Sequence, residues 1–145
     1  MESPPVAQRG RLPSAVAGVA LALAATPSPA AHWLARDLGS VFSEETCVAV
    51  SESALATYGR LFGGGTVRRS GWVVTLDDVG RRGDDAAITC TFGSGGMTRG
   101  TLLIHSVRDD FARRLAADQI SGYWRSHAAE ADDAHRRSLG LDRFR

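Results

Sequence analysis

Residues 67–107 read VRRSGWVVTLDDVGRRGDDAAITCTFGSGGMTRGTLLIHSV, and three β-rich runs alternate here with two turn-rich ones. In residues 67–76 the two-residue period of a strand puts Trp72, Val74 and Leu76 on one face and Val73 and Thr75 on the other. That placement predicts a core position for Trp72. Residues 87–92 alternate Ile88, Cys90 and Phe92 against Thr89 and Thr91, and residues 101–107 form the third run. Residues 77–85 and 93–100 are dense in Gly, Asp and Ser, the residues of turns. A parallel crossover needs a dozen or more residues, which neither connection has, so the pattern predicts a three-stranded antiparallel meander.

Working upstream, Ser43 stands where a helix N-cap belongs, with Glu44 and Glu45 in the first turn, where the helix dipole favours acids. Cys47, Val50, Ala54, Leu55, Tyr58, Leu61 and Phe62 recur at three- and four-residue spacing, which predicts an amphipathic helix over 44–62. Gly63-Gly64-Gly65 then stops it. Residues 31–42, with Trp33, Leu34, Leu38, Val41 and Phe42, read as a short helical lead-in.

Downstream, Ser106 reads as the N-cap of a second helix, with Asp109 and Asp110 in its first turn. Asp109–Arg113 and Asp110–Arg114 are acid-before-base pairs four residues apart. Phe111, Leu115, Ile120 and Trp124 are expected to face the core, and Gly122 is placed to kink or split the helix. Residues 138–145 read as a flexible Arg-rich tail. The fold class is therefore α+β: a small single domain over residues 31–137, built as helix, three-stranded antiparallel meander and helix, with one disulfide. One helix face and one sheet face must bury each other.

Residues 1–30 have a different character. Arg9 and Arg11 precede an unbroken small-apolar run over residues 15–25, and Thr26-Pro27-Ser28-Pro29-Ala30 ends it. Charge, apolar core and small residues in that order are the pattern of a secretory signal peptide, with a cut after Ala30. Eleven helical residues reach about 17 Å, short of the roughly 30 Å of a bilayer's hydrocarbon, so this run is no span and the mature form has no stable membrane segment. The expected location is periplasmic or secreted. There Cys47 and Cys90, the two cysteines of the chain, are expected to pair. Cys47 lies on the apolar helix face and Cys90 on the strand face of Ile88, so both sulfurs point at one interface. Closing a loop of about 43 residues is worth about 4 kcal/mol in the chain-entropy model.

Composition excludes some partners. Basic and acidic residues nearly cancel, 17 against 16, and there is no lysine. Without a basic stripe interleaved with aromatics, nucleic-acid binding lacks its electrostatic footprint.

The motifs that suggest chemistry each fail a physical requirement. Residues 59–66, GRLFGGGT, have the glycines of a phosphate loop, but Gly65 stands where a lysine must reach the phosphates. Gly93-Ser94-Gly95-Gly96 lacks the spacing of a hydrolase elbow and joins two strands. His127, Glu130, Asp133 and His135 are metal-ligand types, but the two histidines are about 12 Å apart along a helix and face different directions. Arg82-Gly83-Asp84 is an adhesion tripeptide in other settings and reads here as part of a charged surface hairpin. No catalytic, cofactor-binding or metal residue is assigned. The leading expectation is a non-enzymatic exported protein that binds a protein partner, such as a periplasmic inhibitor, immunity or accessory factor. Trp33 and Leu34, beside the new N-terminus, mark its surface. Two alternatives are a small secreted hydrolase using His105 with a nearby carboxylate, Asp77 or Asp78, and a structural component of the cell envelope.

Overall fold

The sheet has five strands rather than three. The structure is a computed structural model and describes residues 32–106 and 110–141. The proposed signal peptide over 1–30 and Asp109 lie outside the described residues. The order is β1 (His32–Val41), α1 (Glu44–Phe62), β2 (Val67–Ser70), β3 (Val73–Val79), β4 (Asp84–Phe92), a 3-10 turn (Ser94–Gly96), β5 (Thr98–Ser106) and α2 (Asp110–Ser138). Across the sheet the strands run β1-β5-β4-β3-β2, and every neighbouring pair is antiparallel. The expected α+β domain is present, and the meander extends by one strand on each side.

Both additions have a local cause. Residues 32–41 form strand β1 instead of the helical lead-in, paired to β5 from His32↔Ser106 to Val41↔Thr98, with a register shift between Asp37 and Gly39. On the other side, residues 67–76 are not one strand. Gly71 and Trp72 turn the chain between the paired residues Ser70 and Val73. Gly71 takes a positive φ of 56°, which a two-residue hairpin turn demands and glycine supplies without a Cβ penalty. Trp72 therefore sits on a turn, 51% exposed, and not in the core. It meets Phe92 edge-on at 6.5 Å. Phe92, expected beside Cys90 in the core, lies 79% exposed at the strand end, past the helices' cover.

Helix α1 matches the sequence reading at both ends. Ser43 caps it by accepting a hydrogen bond from the Thr46 amide at 3.1 Å, and Gly63 ends it with φ 89°. Helix α2 runs unbroken through Gly122 to Ser138. Ser106 is the last residue of β5. The Asp110–Arg114 pair forms at 2.6 Å. The buried stripe of α2 is Arg113, Ala116, Ala117, Ile120, Ser121 and Trp124. Ile120 and Trp124 face the core as expected; Phe111 and Leu115 do not. The two small residues Ala116 and Ala117 take their place, and small side chains let packed elements approach closely.

Chain order sets the layering. α1 leaves the Val41 end of the sheet and finishes beside the start of β2, while α2 begins beside the end of β5 and returns the other way. Both helices pack on one face of the sheet. At the Val41 end the indole of Trp124 lies on two paired glycines, Gly39 of β1 and Gly100 of β5. A Cβ built on Gly100 would stand 2.9 Å from the indole, so glycine is what gives the ring its place. The indole N–H donates to Ser51 Oγ at 3.2 Å, and Ser51 in turn donates to the Cys47 carbonyl at 2.7 Å. A buried indole nitrogen needs such a partner. Beside it Cys47 of α1 and Cys90 of β4 are joined by a disulfide, with Cα atoms 6.0 Å apart. The bridge lies at the interface that the two apolar patterns predicted. No helix among the described residues is long and apolar enough to cross a membrane.

Candidate functional site

The open face of the sheet carries one candidate region. In antiparallel register Trp33, His105 and Asp85 form a row across β1, β5 and β4. The rings of Trp33 and His105 meet at 4.7 Å. Trp33 is 63% exposed, whereas Leu34 points the other way and packs on the core. Of the two residues expected at a partner surface, Trp33 is therefore the one presented to solvent.

The structure does not bring the carboxylates Asp77 and Asp78 to His105. Strand β4 separates β3 from β5. Asp77 pairs with Arg68, and Asp78 Oδ1 accepts from the Gly83 amide at 2.8 Å. The acid in register with His105 is Asp85, and no hydrogen bond joins the two among the described residues. The four metal-ligand types on α2 do not converge on one point either. His127 approaches Glu130 at 3.3 Å and Thr57 at 3.4 Å, while His135 stacks on Phe42 at 3.9 Å. No metal-competent group of three or more such residues occurs among the described residues.

A second region was not legible as a site in the sequence. Where α1 ends and α2 begins, a cavity of about 190 Å³ opens between the helices and the β3–β4 hairpin. Tyr58, Phe62, Val79 and Leu115 give it apolar walls, and Arg82, Asp84 and Gln119 are its polar groups. Asp84 belongs to the hairpin that read as wholly surface-exposed, yet it is only 5% exposed. Its position at the start of β4 is on the helix-facing row of Ala86 and Ile88, and this turns the carboxylate inward. The Asp84 Oδ1 oxygen is buried without a hydrogen-bond partner. A buried acceptor left unpaired costs about 1–3 kcal/mol, more when it is charged. Burial of this aspartate also removes the acid that an adhesion tripeptide would have to present.

The walls of the cavity are held by glycine-rich loops that bond to each other. The Gly65 amide donates to the Asp77 carbonyl at 2.7 Å, and the Gly80 amide donates to the Gly63 carbonyl at 2.8 Å. Asp78 and Arg81 adopt positive φ values of 51° and 58°, an uncommon conformation outside glycine. The residues that resemble a phosphate loop, 59–66, thus serve as a helix stop clamped to the hairpin. Tyr58 projects from the last turns of α1 into the cavity. Burial pushes its hydroxyl above the usual pKa of 10.0; Arg82 opposes this, and Asp84 and Tyr123 reinforce it. The phenol stays protonated and able to donate through the physiological range. Arg82 and Asp84 line the same space, and no ion pair joins them among the described residues.

No known family, curated protein or solved structure matches this chain. The site must accordingly be read from its own residues. What hid it in the sequence was the hairpin. Residues 77–85 are so rich in Asp, Arg and Gly that they read as solvent-facing throughout. The available signal was the alternation of β4 itself, which, extended back by two residues from Ala86, places Asp84 on the buried row.

Proposed function

We propose that the protein is exported and works by binding a protein partner, as a periplasmic or secreted inhibitor, immunity or accessory factor. The observation that carries this reading is Trp33, 63% exposed on a sheet edge. β1 is ten residues long and, among the described residues, has β5 as its only strand neighbour, so its outer rail offers backbone donors and acceptors that no described strand pairs. An extended segment of a partner can add to such an edge as a sixth strand, with a large amphipathic ring as anchor. The opposite edge, β2, is four residues long and carries Arg68 and Arg69, the short charged form that discourages pairing. The order of residues 1–30 and the buried disulfide support export, since structural disulfides persist in oxidising compartments.

Two measurements test the reading. Intact mass of protein recovered from periplasm or medium should begin at Ala31 and take up thiol label only after reduction. A full-length cytosolic product with two free thiols rejects export. A photoactivatable phenylalanine in place of Trp33 should give a protein adduct in living cells, and one in place of Arg68 should not. Equal adducts from both edges, or none from position 33, reject the β1 surface.

A further inference from the structure

We infer that the cavity beside Asp84 is a binding site for a small zwitterion, a free α-amino acid with an apolar side chain. This site is separate from the β1 edge, and the inference does not depend on that surface.

Three features point to this ligand class. Asp84 lines the cavity with a side chain only 5% exposed, and its Oδ1 has no hydrogen-bond partner among the described residues. An ammonium group there would supply the missing charged donor, and charge-assisted bonds of this kind are about twice as strong as neutral ones. Arg82 lines the same cavity two residues away, exposed and unpaired with Asp84. A simple amine would meet repulsion from Arg82, and a simple acid would meet repulsion from Asp84. A molecule carrying both charges on adjacent carbons satisfies both. The protonated Tyr58 hydroxyl, whose electrostatic environment includes both charged groups, and the Gln119 amide supply further hydrogen bonding.

The remaining walls set the side chain. Phe62, Val79, Leu115 and Ala116 are apolar, and a cavity of about 190 Å³ exceeds the roughly 150 Å³ that suffices for a benzene ring. An apolar side chain up to the size of a ring can lie against these walls with the charged end of the ligand beside Asp84 and the exposed Arg82 of the open lining, and its burial adds affinity without demanding a polar partner.

The test is calorimetric titration of the full disulfide-bonded protein with L-phenylalanine and L-leucine, beside L-phenylalanine methyl ester and N-acetyl-L-phenylalanine. The ester lacks the carboxylate and the acetyl form lacks the ammonium. Binding of the zwitterions is expected, with roughly ten- to a hundredfold weaker binding of each blocked form, the loss expected for one charged hydrogen bond. Asp84→Asn should abolish preference for the free amine. Arg82→Ala, at an exposed position that leaves folding intact, should abolish preference for the free carboxylate. Absence of heat with either amino acid overturns the inference. So does binding of ester or acetyl form as tight as that of the zwitterion, or an unchanged preference in both variants.

Discussion

The helix–sheet interface has two ends, and each contains a buried acid oxygen without a hydrogen-bond partner among the described residues. Glu44 Oε1 is the orphan at the start of α1, and Asp84 Oδ1 is the orphan near its finish. Around the first end the interface is filled. Trp124 lies on Gly39 and Gly100, its N–H reaches Ser51, and the disulfide stands alongside. At the second end the helices part from the β3–β4 hairpin and leave a cavity, which Asp84 lines and Glu44 does not. An orphan acid is only a local penalty where the surroundings are full; Asp84 instead lines an open space, and the proposed amino-acid site rests on that difference. Small and large residues decide which end is which. Glycines under an indole close one end, and at the other Tyr58 and Leu115 line an open space.

Breaking the filled end should produce the largest effect. Opening the Cys47–Cys90 bridge should lower unfolding free energy by about 4 kcal/mol, judged by urea melts of oxidised and reduced protein. Cys90→Ala should lower Tm under oxidising conditions and matter little with reductant present; equal effects in both would remove the bridge as a source of stability. Next in size is Gly100→Ala. Its new methyl meets the Trp124 ring, and overpacking of this kind costs about 1–3 kcal/mol. Gly122→Ala, in the same layer but with nothing within 4 Å, should instead stabilise by about 0.5–1 kcal/mol as an ordinary helix substitution.

At the open end the sign should reverse. Asp84→Asn keeps the shape of the side chain and replaces a carboxyl whose Oδ1 is buried and unpartnered among the described residues, and a gain of about 1 kcal/mol is expected in the same melts. A loss comparable to Gly100→Ala would mean that the cavity end depends on that carboxylate for its structure. The smallest effect sharpens the contrast between the two acids. Burial holds the Glu44 carboxyl above its ordinary 4.5, with Glu45 adding to the rise and Arg69 opposing it. Its charged form is therefore disfavoured in the folded state. The protein should lose stability as pH rises from about 4.5 through the raised value. Glu44→Gln removes that loss, so the variant should gain Tm at neutral pH and lose the advantage below pH 4.5. Unlike Asp84→Asn, it should leave amino-acid titrations unchanged.

Much of the filled end was legible from residue order. The cap at Ser43, the helix over 44–62, its glycine stop and the pairing of Cys47 with Cys90 all follow from local periodicity. β1 was not legible, for physical reasons. Arg36 occupies a helix-facing row that the strand period reserves for apolar residues, because it pairs with Asp118 on α2. Leu38 continues that row, but the register shift between Asp37 and Gly39 brings the next buried residue, Val41, three positions later instead of two. A strand whose pattern is completed by another element shows no clean period of its own. Trp72 misled for a related reason. Its parity was right, but one glycine before it turned the strand into two. The cavity was hidden because it is formed by what three elements fail to fill, and no single segment carries that information.

The pairing of β1 with β5 also fixes an order of assembly. β1 is made first, yet its partner arrives only with Ser106, after every other strand. By then α1 and strands β2 to β4 can already be in place, joined by local hairpins that close quickly. Until β1 docks, β5 itself is the edge of the sheet.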